Sequence, residues 1–158
     1  MRFEIDAARD DEIDAILAAY QWLFEPPGRE PPGWNEMWAR QALGDAISSP
    51  RSAVLVARQL PDPASATTRT ELIGFCAGYL DLDSVRFGTR CWIEDLAVDP
   101  ERRSQGVGQA LLDGMRSWAA GRGATHLELD TGIAREDAQR FYDRQGGAHK
   151  GISYSWVL

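Results

Sequence analysis

Cysteine, histidine and long apolar runs are all scarce in this 158-residue chain, and each scarcity removes a class of protein. The two cysteines, Cys76 and Cys91, lie inside apolar, strand-like segments with no CxxC or Cys/His ligand spacing. They read as reduced, packed thiols, so the fold is expected to need no disulfide or metal staple. His126 and His149 stand alone, and neither is assigned a catalytic or metal role. No apolar stretch approaches the ~18 residues of a membrane span. The first residues are acidic and lack the basic flank and apolar core of a secretory signal, which points to a cytoplasmic protein. Positive charge is also short. A net charge of −7 argues against nucleic acid or an anionic membrane as partner. The same field favours cationic acceptors, and any anionic cofactor then needs a local positive site.

What is present is ordinary for a globular protein: 44% apolar and 26% charged residues, with no internal repeat or low-complexity segment. The length suits a single domain spanning residues 1–158, large enough to bury its own core. Hydrophobic spacing predicts an edge strand over 1–5, a helix over 8–23, and a loop over 25–33 that four prolines and two glycines keep from being helical. A second helix follows with the stripe Trp34, Trp38, Leu43, Ala46 and Ile47. Strands are predicted over 53–57 and 72–80, paired as a hairpin across a polar loop, and again over 91–98. A helix over 106–120, a strand over 126–130, a helix over 135–145 and a terminal strand over 152–158 complete a mixed α/β order.

The segment joining the 91–98 strand to the next helix holds the local positive site. The first turn of a helix leaves backbone N–H groups unpaired and partially positive, so a diphosphate can accept them where no Cβ intervenes. Gly106 and Gly108 remove that obstacle, while Arg102 and Arg103 add permanent charge. The pattern is neither GxGxxG within a βαβ repeat nor GxxxxGK[ST], so Rossmann and Walker readings do not fit.

Arg103-Ser104-Gln105-Gly106-Val107-Gly108 resembles the [Gln/Arg]-x-x-Gly-x-[Gly/Ala] signature of the GNAT N-acetyltransferase superfamily, with Val-x-Pro before it and Ala110-Leu111-Leu112 after. Residues Ala138 to Gly147 resemble the family's Ala-x-x-Phe-Tyr-x-x-x-Gly-Phe segment at the usual distance. The resemblance runs from about Leu72 onward. Two positions depart from it: Ser104 replaces a common glycine of the turn, and Arg135 stands where many members place an asparagine. The implied fold is a central mixed, mostly antiparallel sheet of about six to seven strands flanked by about four helices, splayed at the CoA-binding strands.

The resemblance also implies a reaction: transfer of an acetyl group from acetyl-CoA to a primary amine by direct attack in a ternary complex. The donor would be held by Leu96, Ala97, Val98, Arg102, Arg103, Ser104, Gln105, Gly106, Val107, Gly108, Gln109 and Tyr142. The backbone amide of Leu96 is the candidate oxyanion donor. An alkylammonium with pKa ~10.4 is only ~0.04% neutral at pH 7, and freeing its lone pair costs roughly 4.6 kcal/mol, so a base helps. Glu94 and Asp95 are the candidates. Neighbours on a strand face opposite sides, so only one reaches the reacting centre unless a bulge intervenes. Glu94 is favoured as the base, through water, with Asp95 orienting the acceptor. Tyr142 takes the family's general-acid position beside the departing thiolate.

Acceptor choice falls to the segment between the first helices. Trp22, Phe24, Trp34 and Trp38 cluster there with Glu25, Glu30 and Glu36, and an aromatic, acidic wall suits a cationic head. The strand 93–98 also resembles its counterpart in aminoglycoside N-acetyltransferases, which makes a small cationic amine or aminosugar the expected acceptor. Protein N-terminal or lysine acetylation, and a non-catalytic acyl-CoA sensor, are the alternatives. Family members often form homodimers, and nothing in the sequence decides that state.

Overall fold

In the computed structural model the described residues are 1–61 and 70–151. Five strands form one sheet in the order β1-β2-β3-β4-β5: β1 (Phe3–Ala7), β2 (Ser52–Gln59), β3 (Glu71–Ser84), β4 (Gly88–Val98) and β5 (His126–Glu128). All pairs are antiparallel except β4 with β5. The predicted hairpin is the β2–β3 pair, and β1 is an edge strand as its short alternating pattern suggests. The strand expected over 152–158 lies outside the described residues; among the described residues the sheet has five strands where six to seven were anticipated.

The helices are α1 (Ile13–Ala19), α2 (Gln21–Phe24), α3 (Glu36–Ser48), α4 (Val107–Gly121) and α5 (Glu136–Arg144). The single helix expected over 8–23 starts later and breaks at Tyr20. Ala8 still donates its amide to Val54 beside the sheet, and a 3₁₀ turn over Asp10–Glu12 follows before α1 begins. Glu12 holds that turn against the sheet. Both its oxygens accept from Arg58, at 2.6 and 2.7 Å, and Arg58 also reaches the Ala7 carbonyl at 2.9 Å. Asn35 caps α3 by accepting from the Trp38 amide, which leaves Trp34 outside the helix. Trp38, read as a core residue, is 76% exposed.

Each sheet face carries its own core. α4 packs Val107, Leu111, Leu112 and Met115 onto Leu55, Ile73, Cys76, Cys91 and Ile93. α1 and α3 pack Ile16, Leu17, Leu43 and Ala46 onto Val54, Val56, Phe75 and Ala97 on the other face. Cys76 and Cys91 are buried and unbridged, as read from the sequence. Gly74 and Gly78 let α4 approach closely: a Cβ at Gly74 would stand 3.0 Å from Leu111 Cδ1, and one at Gly78 would stand 2.8 Å from Met115 Sδ.

Two irregularities of β4 position everything that follows. Its register against β3 passes from Gly78↔Ile93 to Ala77↔Asp95, leaving Glu94 as the extra residue of a β-bulge. Its pairing with β5 covers only Arg90↔His126, Cys91↔Leu127 and Trp92↔Glu128. Beyond Trp92, β4 runs on to Val98 without β5 beside it, and the strands part. Arg90 fastens the point of parting through Glu128 of β5 (3.1 Å) and Asp81 of β3 (2.6 Å).

Candidate active site at the parting of two strands

The gap exposes the main chain of β4. The Asp99 amide donates to Ile73 on β3 at 3.0 Å, so by strand alternation the main-chain groups of Leu96 and Val98 face away from β3, into the gap. The Val98 carbonyl accepts from Arg103 Nε at 3.4 Å, consistent with that direction. A cavity of about 400 Å³ opens here. Ile93, Glu94, Asp95 and Leu96 form one wall, Leu129 to Gly132 with Arg135, Ala138 and Tyr142 another, and Tyr20, Leu23, Phe24, Arg29, Pro31 and Trp34 the third.

The bulge decides where the carboxylates point. Ile93 belongs to the α4-side core and Ala97 to the opposite one, so the extra residue shifts the alternation between them. Asp95 accepts from the Tyr20 hydroxyl at 2.7 Å, and Glu94 accepts from Trp92 Nε1 at 2.9 Å. Both acids therefore line the same cavity. Glu94 is exposed, while Asp95 is half-buried among Tyr20 and its neighbours. Burial pushes the Asp95 carboxyl above its usual range, and the charge of Glu94 adds to this; the Tyr20 bond pulls the other way. Burial and the Asp95 charge push the Tyr20 hydroxyl far up, so it is a fixed donor at all accessible pH.

Tyr142 lines the cavity from α5, with burial pushing its phenol up to about 12 and the nearby Arg135 charge opposing that shift. Its neighbour Phe141 packs against the α4-side core, so adjacent helix positions divide between core and cavity. Arg135 precedes α5 and donates from Nη2 to the Leu23 carbonyl at 2.5 Å, tying α5 to the end of α2.

The glycine turn lies at the far end of β4. Asp99 caps a 3₁₀ turn over Pro100–Arg102, and Gly106 stands at the N-cap of α4 with φ +86°. A Cβ at Gly106 would have no neighbour within 4 Å, so the first amides of α4 open to solvent. Ser104 is the one described non-glycine residue with positive φ, +60°. That is the position where the superfamily commonly has glycine, and serine takes up the same turn. Arg103, Ser104 and Gln105 are exposed around it, with Gln105 Nε2 donating to the Glu101 carbonyl at 3.2 Å. Arg102 instead faces Glu71 at 4.0 Å. The Val107 side chain is core, so this residue can offer a ligand only its amide; Gly108 and Gln109 continue the first turn. These donors and guanidiniums fit a diphosphate, and the gap beside Leu96 and Val98 fits an extended arm leading from it.

Of the expected acceptor residues, Phe24 and Trp34 line the cavity with ring centroids 4.8 Å apart, edge to face. Trp22 does not: it packs half-buried against the α1–α3 core, because its helix turns that position inward. Glu25, Glu30 and Glu36 are exposed and do not line the cavity. Sequence reasoning missed Tyr20, taken as a core-stripe residue, and Arg29. Among the described residues no cluster of His, Cys, Asp or Glu could hold a metal ion, and no helix is long and apolar enough to cross a membrane.

Comparison with known proteins agrees with this geometry. Residues 14–147 match the Acetyltransferase (GNAT) family, and the chain belongs to it. The N-acetyltransferase YhdJ of Bacillus subtilis is 40% identical over 70 residues, which are 44% of this chain and 49% of YhdJ. The aminoalkylphosphonate N-acetyltransferase of Salmonella typhimurium is 44% identical over 66 residues, 42% of this chain and 43% of that protein. The matched segments thus span less than half of these relatives. Among solved structures, the aminoglycoside N-acetyltransferase AAC(6′)-Iy in complex with CoA superimposes with a TM-score of 0.79 at 16% identity, over 99% of this chain and 95% of that one. It shares the fold.

Proposed function

We propose that this protein is an acetyl-CoA-dependent N-acetyltransferase whose acceptor is a small primary amine with a cationic head, as in simple amines or aminosugars. One observation carries the reading: the bulge at Glu94 and the parting of β4 from β5 bring two carboxylates, a half-buried tyrosine and β4 main chain turned away from β3 to one cavity. Acetyl-CoA supplies the activated acyl group. Arg103, Ser104 and the amides of Gln105 to Gln109 hold its diphosphate, with Arg102 adding charge nearby, and the main chain of Leu96, Ala97 and Val98 guides its arm.

Glu94 receives the ammonium proton, through water. One of its oxygens is held by Trp92, and the other is free to accept. Asp95 orients the acceptor: a desolvated carboxylate beside Tyr20, Phe24 and Trp34 attracts an ammonium strongly. The Leu96 amide is aimed at the charge that develops on the carbonyl oxygen. Tyr142 serves the leaving sulfur as a hydrogen-bond donor. With its phenol near 12 and a thiol near 8.5, complete proton transfer would be uphill by about 5 kcal/mol, whereas a donated bond needs no transfer.

A Salmonella relative is named for acetylating an aminoalkylphosphonate, which supports a small-amine acceptor, and the size of the cavity suits one. On this reading the protein acts in the cytoplasm on a small-molecule partner, without nucleic acid or membrane. The test is CoA release across amines and peptides. Release confined to peptides would remove the small-amine reading, and acetyl-CoA binding without release from any acceptor would favour a sensor.

A further inference from the structure

The cavity carries positive charge as well as negative. Arg29 lines it from the loop between α2 and α3, and Arg135 lines it from the start of α5. Among the described residues, neither guanidinium forms an ion pair with a carboxylate. Arg135 gives one N–H to the Leu23 carbonyl, which fixes its head between α2 and α5, and among the described residues its other donors have no partner. Arg29 is exposed, and among the described residues it has no hydrogen-bond partner. Elsewhere in this acidic chain arginines are readily paired: Arg58 with Glu12, Arg90 with Asp81 and Glu128, Arg40 with Asp14, Arg140 with Glu136 and Asp137. Other described arginines, among them Arg86, Arg103 and Arg122, also lack a carboxylate partner; what sets Arg29 and Arg135 apart is that both line this cavity.

Arg29 is not placed for the donor's diphosphate. The glycine turn opens α4, which packs on one face of the sheet, whereas Arg29 belongs to the loop that follows α1 and α2 on the other. The cavity is thus lined by charge of both signs. Glu94 and Asp95 on β4 bring negative charge. Tyr20, Phe24 and Trp34 add aromatic faces, and Arg29 and Arg135 bring positive charge. A polycation would bring its second ammonium against the guanidiniums, at a cost that a cavity of about 400 Å³ gives little room to avoid.

Resting on the proposed acetyltransferase reaction, we infer that the acceptor is a zwitterion: a primary amine whose short chain also carries a carboxylate, phosphonate or phosphate, which Arg29 and Arg135 bind. The amine lies against Glu94 and Asp95, the chain packs on the aromatic rings, and the oxyanion takes the guanidinium N–H groups, for which planar donors are well suited.

Matched acceptors test this: 3-aminopropylphosphonate, 4-aminobutyrate, 3-aminopropanol and 1,3-diaminopropane, each with acetyl-CoA and CoA release as readout. The two anionic amines are expected to exceed the alcohol and the diamine in kcat/KM by about tenfold or more, the scale of one charged hydrogen bond. Comparing phosphonate with carboxylate tells which oxyanion the pair prefers. Arg29→Ala, on an exposed loop, should raise KM for the anionic amines more than for the alcohol. Arg29→Glu should reverse the order and favour the diamine. Equal use of all four amines, or a diamine preference in the wild type, overturns the inference and leaves the acetyltransferase standing. No release from any amine overturns both.

Discussion

The Tyr20 hydroxyl and Asp95 Oδ2 lie 2.7 Å apart, joining the end of α1 to the middle of β4 across 75 positions of sequence. The bond stabilises a carboxylate that burial otherwise disfavours. An acid whose folded pKa is raised binds more protons folded than unfolded. Stability is therefore lost as pH rises from the ordinary carboxylate range through the raised value. Asp95→Asn should accordingly melt higher than the wild type at neutral pH, with the difference vanishing in acid, and should turn over amines more slowly. Melting temperature against pH and kcat/KM for both proteins check this. A variant that melts lower at neutral pH would contradict it.

Tyr20→Phe removes the donor and keeps the ring among Phe24, Trp34 and Phe75. Loss of a hydrogen bond to a charged group costs roughly 1.5–3 kcal/mol. The acidic limb of the pH–rate profile should move upward, because Asp95 then loses what held its pKa down. An unmoved limb, with activity intact, would detach Asp95 from the acceptor.

The Glu12–Arg58 fork has the opposite sign. Hydrogen bonding to Arg58 holds the Glu12 carboxyl below its usual range, against some desolvation. Its contribution is present above the ordinary carboxylate range and is lost as pH falls through the lowered value. Arg58 is 2% exposed, so Arg58→Ala should cost about 3–5 kcal/mol by stranding Glu12. Urea unfolding at neutral pH measures the loss. Repeating it in acid should show the gap between the two proteins narrowing.

How far the sequence leads depends on whether a feature is local. The glycine turn was legible because its causes sit within six consecutive residues, Arg103 to Gly108, and the structure gives Gly106 the left-handed conformation that glycine tolerates best. The order of helices and strands was legible from spacing. The bulge at Glu94 was not, since register is set by β3 as the partner and by how α4 seats against Gly74 and Gly78. Tyr20 carried the spacing of a core residue, and nothing nearby in sequence reveals that its hydroxyl meets Asp95. Aromatic content alone could not sort Trp34, which lines the cavity, from Trp22, which packs inside, or Trp38, which faces solvent.

Ser104 gives a compact test of the turn. A left-handed serine costs roughly 1–2 kcal/mol, offset in part by the entropy a glycine would lose on folding. Ser104→Gly should melt at or slightly above the wild type, and Ser104→Val clearly below it. A marked loss of stability in the glycine variant would mean that the serine hydroxyl holds the turn.

For Tyr142, the phenylalanine variant should lower kcat by about 10- to 100-fold, the range of one hydrogen bond to a charged group, while acetyl-CoA affinity is kept. Turnover unchanged at saturating substrates would remove Tyr142 from the reaction.

The most direct measurement is calorimetric titration of the protein with acetyl-CoA, paired with melting temperature at saturation. Donor binding at the Gly106 turn predicts one saturable site and, at a hundredfold excess over Kd, about 2.7 kcal/mol of added stability, or several degrees in Tm. No binding heat and no change in Tm at millimolar acetyl-CoA would contradict it.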